Sequence, residues 1–236
     1  PKSNDTLKLT LDKVIPPIIG TDRDPAFIAA HNPGAKWLKY MRFRSEKLSK
    51  FWGRDMYLGA WVLLPEGFDA HPDAHYPLIV YQDHFHPGFA APVPFVTTPP
   101  TTTAGRSSFR NAAGYKFFQD WTSGRLPRVI LLYVQSANPY YDDSYDVDSA
   151  NVGPYGSAIN EELIPAIEKK YRGIGQGWAR ATFGGSTGGW ESIATQVFYP
   201  DLYNGTYAAC PDPVDFHDYQ NVYLDNDTNA FVRRGD

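Results

Sequence analysis

The stretch TFGGSTGGWE, residues 182–191, constrains the fold more than any other part of this chain. A β-prone run of small residues leads into a serine set between glycine pairs, and the helix-like ESIATQVFY comes next. Gly184, Ser186 and Gly188 satisfy the pattern G-x-S-x-G, in which a serine sits on a sharp turn between a buried strand and a helix. Glycine is needed at such a turn because strand and helix must approach without side chains between them. Two readings are open: Ser186 is a nucleophile raised above a sheet, or the segment is a glycine-rich connection chosen for close packing.

The surrounding sequence has the rhythm that this turn requires. YPLIVYQD (76–83) and RVILLYVQS (128–136) are near-continuous apolar runs, as expected of strands buried on both faces of a parallel sheet. ATFGGS (181–186) and YNGTYAAC (203–210) are the next candidate strands, built from smaller residues. Upstream, LKLTLDKVI (7–15) and MRFRSEKL (41–48) alternate apolar with polar residues, and MYLGAWVLLP (56–65) reads as a stronger strand. The short polar SKFWGRD between the last two predicts a hairpin. Helical patterns fall at 115–123, 157–172 and 190–199. In the second of these, Ile159, Leu163, Ile167 and Tyr171 share one face, Glu161 and Glu162 open it, and Lys169, Lys170 and Arg172 close it, matching the helix dipole. Pro165 inside it predicts a kink or an irregular first turn. Residues 92–108, rich in Pro and Thr, read as an irregular loop. An antiparallel opening followed by strand–helix alternation predicts an α/β three-layer sandwich with a mostly parallel central sheet. Residues 1–40 are expected to form an N-terminal extension and 41–236 the α/β domain.

Composition narrows the function classes. An apolar fraction of 42% and an aromatic fraction of 15% belong to a chain that can build a core, not to a disordered one. The net charge of −4 gives no bulk attraction for nucleic acid. No apolar run approaches the ~18 residues of a membrane span. Basic residues gather early (Lys36, Lys39, Arg42, Arg44, Lys47, Lys50, Arg54) and Asp142, Asp143, Asp146 and Asp148 in the middle, which reads as two solvated faces. The single Cys210 excludes an internal disulfide framework and a cysteine-based zinc cage. The abundance of Tyr, Trp, Pro and Asn leans toward a secreted or periplasmic compartment.

If Ser186 is the nucleophile, the N–H of Thr187 would face a developing oxyanion at the start of the next helix. Gly185 and Trp190 flank the turn and join the candidate oxyanion and substrate-binding set. Past the strand at 203–210 lie Asp212, where that strand would end, and His217, the only histidine after the serine. These are the candidate acid and base, although an exposed or helix-capping role for His217 fits its position equally. The loop 138–156, NPYYDDSYDVDSANVGPYG, comes after a buried strand and is expected to line the cleft, its tyrosines offering flat walls for a sugar or an aromatic ester. Its acidic spacing is partly that of a calcium loop, but the glycine and the distal Glu are missing. An ordinary surface loop with aspartates bonding their own backbone is the plainer reading. His84 and His86 form an H-x-H pair that could ligate zinc, yet no third and fourth ligand are evident.

YPLIVYQDHFHPGF (76–89), GPYGSAINEELIPAIEKKYR (153–172), residues 179–216 around the serine, and 48–77 together resemble the esterase branch of the α/β-hydrolase superfamily that includes esterase D-like and feruloyl or acetyl-xylan esterase-like enzymes. The resemblance implies a carboxylic-ester hydrolase acting on a small-molecule or carbohydrate-linked ester through an acyl-enzyme, with neither cofactor nor metal. It implies that the loop after strand 76–83 supplies the second oxyanion N–H, from His84 or Phe85. In that superfamily an acid and then a histidine lie after the serine, on loops beyond later strands, and the pattern here stops before two further strand–helix units. The sequence is therefore expected to be a fragment, its base and acid lying elsewhere and its open sheet edge covered by another copy or a second chain. A non-catalytic binding module that keeps the cleft is the alternative, and a metal-dependent hydrolase using the H-x-H loop is a third.

Overall fold

The computed structural model describes residues 34–83, 95–100, 106–140, 143–215, 217–219 and 222–229, together with Thr10. The strand predicted over 7–15 falls outside this set apart from Thr10. Strand β1 (Leu38–Ser45) pairs antiparallel with β2 (Met56–Leu63), Leu38 opposite Leu63 and Ser45 opposite Met56. The link between them is not the predicted bare hairpin. It holds helix α1 (Glu46–Trp52), started by the Ser45 hydroxyl accepting from the Leu48 N–H at 3.1 Å and ended by Gly53 at φ 63°. Ser45 is a strong N-cap residue and glycine the residue of choice for a left-handed end, so both signals were in the sequence.

After β3 (Leu78–Gln82) and helix α2 (Arg106–Thr122) comes β4 (Ile130–Gln135). Two short strands, β5 (Asp148–Ser149) and β6 (Gly153–Pro154), form a separate ribbon. Helix α3 (Tyr155–Ala158) runs through a π-helical turn, Ile159–Leu163, into α4 (Ile164–Tyr171). That widened turn stands directly before Pro165, the irregularity the proline predicts, because a ring without an N–H cannot continue regular bonding. Next come strand β7 (Arg180–Gly185), helix α5 (Thr187–Phe198) and strand β8 (Gly205–Ala209), and β9 (Asp218–Tyr219) pairs with β10 (Val222–Tyr223).

The main sheet has six strands in the order β1-β2-β4-β3-β7-β8, with β2 antiparallel to β4 and the pairs β4–β3, β3–β7 and β7–β8 parallel. Side chains alternate across it, so each strand feeds two cores. Leu58, Ala60 and Val62 of β2 with Ile130, Leu132 and Val134 of β4 face the side covered by α1, α3 and α4, where Tyr155, Ile159, Leu163 and Ile167 are buried. Trp61, Leu63, Leu131 and Tyr133 face the side where Trp121 of α2 packs. This is the three-layer α/β sandwich expected. Helix α4 is pinned to the start of β7 by a buried fork, Arg180 donating to both carboxylate oxygens of Glu168 at 2.8 and 2.6 Å. The parallel strands β3 and β7 therefore end side by side, and the loop leaving β3 and the turn leaving β7 start at the same edge of the sheet.

Candidate active site

Strand β7 stays in register with β8 as far as Gly185, opposite Ala209, and with β3 as far as Gly184, opposite Gln82. At the next residue the chain breaks direction. Ser186 has φ 57° and ψ −125°, a region that an L-residue enters only under strain. Its backbone is held from four directions. The Ser186 N–H donates to the Ala209 carbonyl at 2.9 Å, and its own carbonyl accepts from the N–H groups of Gly189, Trp190 and Asp212 at 2.9, 3.1 and 3.3 Å. The surrounding structure thus fixes a conformation the residue would not choose. Ser186 is exposed, whereas Thr187, Gly188 and Gly189 are buried.

The flanking glycines are there for contact. A Cβ on Gly184 would stand 2.3 Å from the Gly188 carbonyl oxygen, and one on Gly188 would stand 2.2 Å from the Gln82 carbonyl oxygen and 2.8 Å from the Asp83 nitrogen. The end of β3 therefore lies directly on the serine turn. The chain continues from Asp83 to His84 and Phe85, which lie outside the described residues together with His86. Gly185 is different: a Cβ there would come no nearer than 3.7 Å, to the Ala209 oxygen. Thr187 is the first residue of α5, so its N–H has no acceptor within the helix.

The candidate acid and base separate. The Asp212 carboxylate accepts from the Thr187 hydroxyl at 2.7 Å, bracing the turn. His217 pairs instead with Asp215, Nδ1 to carboxylate oxygen at 2.7 Å, with side chains 69% and 71% exposed. That hydrogen bond raises the His217 pKa, and the His217 backbone N–H, followed by the ring, lowers that of Asp215. Of the three aspartates close to His217 in sequence, Asp212, Asp215 and Asp218, it is Asp215 that holds the histidine, while Asp212 is bound to Thr187. His71 and His75 precede β3, at the opposite edge of the sheet from Ser186.

Beside the turn, a cavity of about 780 Å³ opens between Trp190 and loop residues 138–140 and 143–152, with Tyr140, Ser144, Tyr145 and Val152 in its walls. This loop is shaped by its own side chains. Asn138 donates to the Asp143 carbonyl at 2.8 Å, Asp143 accepts from the Tyr145 N–H at 2.7 Å, and the Ser157 hydroxyl donates to Asp148 at 2.6 Å. Tyr145 meets Trp190 edge-on, ring centroids 5.5 Å apart. Below this wall lies a group that the sequence did not announce. Glu191 is 1% exposed, Asp146 5% and Asp143 9%. Asp146 accepts from Ser136, Ser144 and Gln82, yet burial and then the Asp143 charge push its pKa up to about 7. Burial, followed by the charges of Asp146 and Asp143, raises Glu191 well above the usual carboxylate range. The one signal available was spacing: Thr187, Glu191 and Thr195 recur on a single buried face of α5.

A carboxyl whose pKa is higher in the folded than in the unfolded state stabilises the fold fully at low pH and loses that contribution as pH rises. For Asp146 the loss runs from its ordinary value of 3.8 to about 7. The melting temperature is expected to fall by roughly 5–10 °C more between pH 5 and pH 8 in the wild type than in Asp146→Asn, read by circular dichroism.

Residues 49–217 match the family described as "Putative esterase". The chain belongs to this esterase family. The match runs from within α1 through β2 to β8 and the segment after it, leaving out β1, with the serine turn inside it. Among curated proteins nothing matches. Solved structures similar to this family member include a ferulic acid esterase, at 20% identity and TM-score 0.49 over 73% of this chain and 59% of that one. A ferulic acid esterase from Anaeromyces mucronatus is similar at 16% identity and TM-score 0.46, over 77% of this chain and 62% of that one. An S-formylglutathione hydrolase from Agrobacterium tumefaciens is similar at 13% identity and TM-score 0.42, over 72% and 56%. The chain thus spans less than two thirds of the length of each of these.

Proposed function

We propose that this protein is a carboxylic-ester hydrolase in which Ser186 is the nucleophile. The observation that carries the reading is the strained, exposed Ser186 at the junction of a buried strand and a helix, fixed by four backbone hydrogen bonds. Family membership supports the same reaction class. The Ser186 hydroxyl gives its proton to a base as its oxygen attacks the ester carbonyl, forming a tetrahedral oxyanion. The Thr187 N–H and an amide from the chain beyond Asp83 hold that charge, in a place where the positive end of α5 also acts on it. Collapse expels the alcohol, which takes the proton from the base, and leaves an acyl-enzyme that water hydrolyses by the same steps. The base and its acid come from outside the described residues, since His217 is turned to solvent on Asp215 and Asp212 is bound to Thr187. The cavity walled by Tyr140, Tyr145 and Trp190 takes a flat aromatic or sugar moiety of the ester.

A fluorophosphonate probe applied to the full-length protein tests this reading. Labelling of the wild type that disappears in Ser186→Ala is expected. Equal labelling of both proteins would contradict the assignment, and saturable ligand binding with no labelling would indicate a binding module in its place.

A further inference from the structure

We infer that Glu191 is a positioning residue: as a neutral acid it donates a proton-bearing hydrogen bond to Asp143 and so holds the Tyr145–Trp190 wall of the cavity closed. The inference rests on reading that cavity as the substrate pocket.

The argument begins with burial. Glu191 is among the largest fully buried side chains of the protein, and neither of its carboxyl oxygens receives a hydrogen bond. An ionised carboxylate cannot stay in that state, because removing it from water without donors costs several kcal/mol. The charges around it make ionisation worse. Asp143 and Asp146 face it from the loop and Asp83 from the end of β3. On its own helix, Thr187 brings Asp212 to the first turn. The cations acting on this neighbourhood stand one residue further out, Arg54 on Tyr155 and Arg110 on Tyr81. Among the described residues no three carboxylate, imidazole or thiolate groups are spaced to hold a metal ion. A proton on Glu191 removes one negative charge from the group and converts Glu191 into a donor for Asp143.

The loop needs such a hold. Tyr145 and Asp146 are consecutive non-glycine residues at φ 58° and 51°, so this part of the loop is strained. Asp143 shapes it through the Tyr145 N–H, and Tyr145 carries the ring that meets Trp190. Pulling Asp143 against α5 therefore seats Tyr145 on Trp190. When Glu191 ionises, three neighbouring carboxylates repel it, the loop leaves the helix, and the aromatic wall parts. The raised Glu191 and Asp146 pKa values give the direction: the wall is closed at lower pH and opens as pH rises.

The test uses full-length protein labelled with 5-fluorotryptophan, the Trp190 resonance being assigned with Trp190→Phe. In the wild type this resonance is expected to titrate with a midpoint well above the ordinary Glu value. Glu191→Gln, which keeps a donor and cannot ionise, holds the low-pH position throughout. Asp143→Asn relieves the repulsion and moves the midpoint down by at least about one pH unit. Where turnover is measurable, KM rises roughly tenfold along the same titration with kcat unchanged, a split that a merely structural residue would not give. A wild-type resonance that does not titrate, or Glu191→Gln and Asp143→Asn both titrating like the wild type, overturns the inference. So does a Trp190 resonance that moves on adding calcium or a chelator, which would mean that the carboxylates hold a cation. The resonance is read without substrate, so a failure of the hydrolase reading leaves it intact and is seen separately.

Discussion

Ser186→Ala is expected to lower ester turnover by at least about a thousandfold while leaving the melting temperature within about 2 °C of the wild type. Both halves come from the same geometry. The bonds that hold the turn use the Ser186 backbone N–H and carbonyl, and alanine keeps them. The side chain is exposed, so its hydroxyl leaves no cavity and no orphaned partner in the core. Alanine meets the same strain as serine at φ 57°, because both carry a Cβ. The loss is confined to the one atom that attacks the ester. Rate remaining above the uncatalysed reaction would come from the oxyanion amides and from binding. A variant that retains more than a tenth of the activity would move the nucleophile elsewhere.

Gly188→Ala is expected to act in the opposite way, through the fold. Its Cβ would lie 2.2 Å from the Gln82 oxygen and 2.5 Å from the Gln82 carbonyl carbon, and both are backbone atoms of the central strand β3. Neither can rotate away as a flexible side chain would, so β3 and α5 must separate. The burial of Thr187, Glu191 and Thr195 depends on that contact. The cost is expected to exceed about 4 kcal/mol, beyond the ordinary range of point substitutions. Urea denaturation measures it, with Gly185→Ala as the comparison: its Cβ would have 3.7 Å of clearance, and its stability is expected to stay within about 1 kcal/mol of the wild type. Equal stability of the two alanine variants would mean that strand and helix are not in contact at Gly188.

The parts of the fold that can be read from sequence are those decided locally. Continuous apolar runs give away β3 and β4, because a strand buried on both faces has no polar position to spare. The serine turn is legible because its glycines carry the contact requirement themselves. Helix α2 is expected only from residue 115 but begins at Arg106, in a segment of Ser, Asn and Gly whose helical preference is weak. Packing of Phe117, Phe118 and Trp121 against the sheet outweighs that preference. The insertion of β4 between β2 and β3 leaves no local trace, since any of the apolar strands could occupy that place.

The site divides in the same way. Ser186 and the aromatic loop stand out because a turn and a run of tyrosines are contiguous features. The partner of His217 is not legible, because Asp212, Asp215 and Asp218 all lie within reach in sequence and only the folded loop decides among them. Glu191 is hidden because its significance comes from two carboxylates about 45 residues away in the chain, which nothing near it reveals.

The most direct measurement on the central claim is a rapid-quench experiment on the full-length protein with an aryl ester, followed by digestion and mass analysis of the peptides. The account predicts a transient acyl adduct on Ser186, formed in step with release of the aryl alcohol and absent in Ser186→Ala. Alcohol release that continues with no adduct on Ser186 would contradict it.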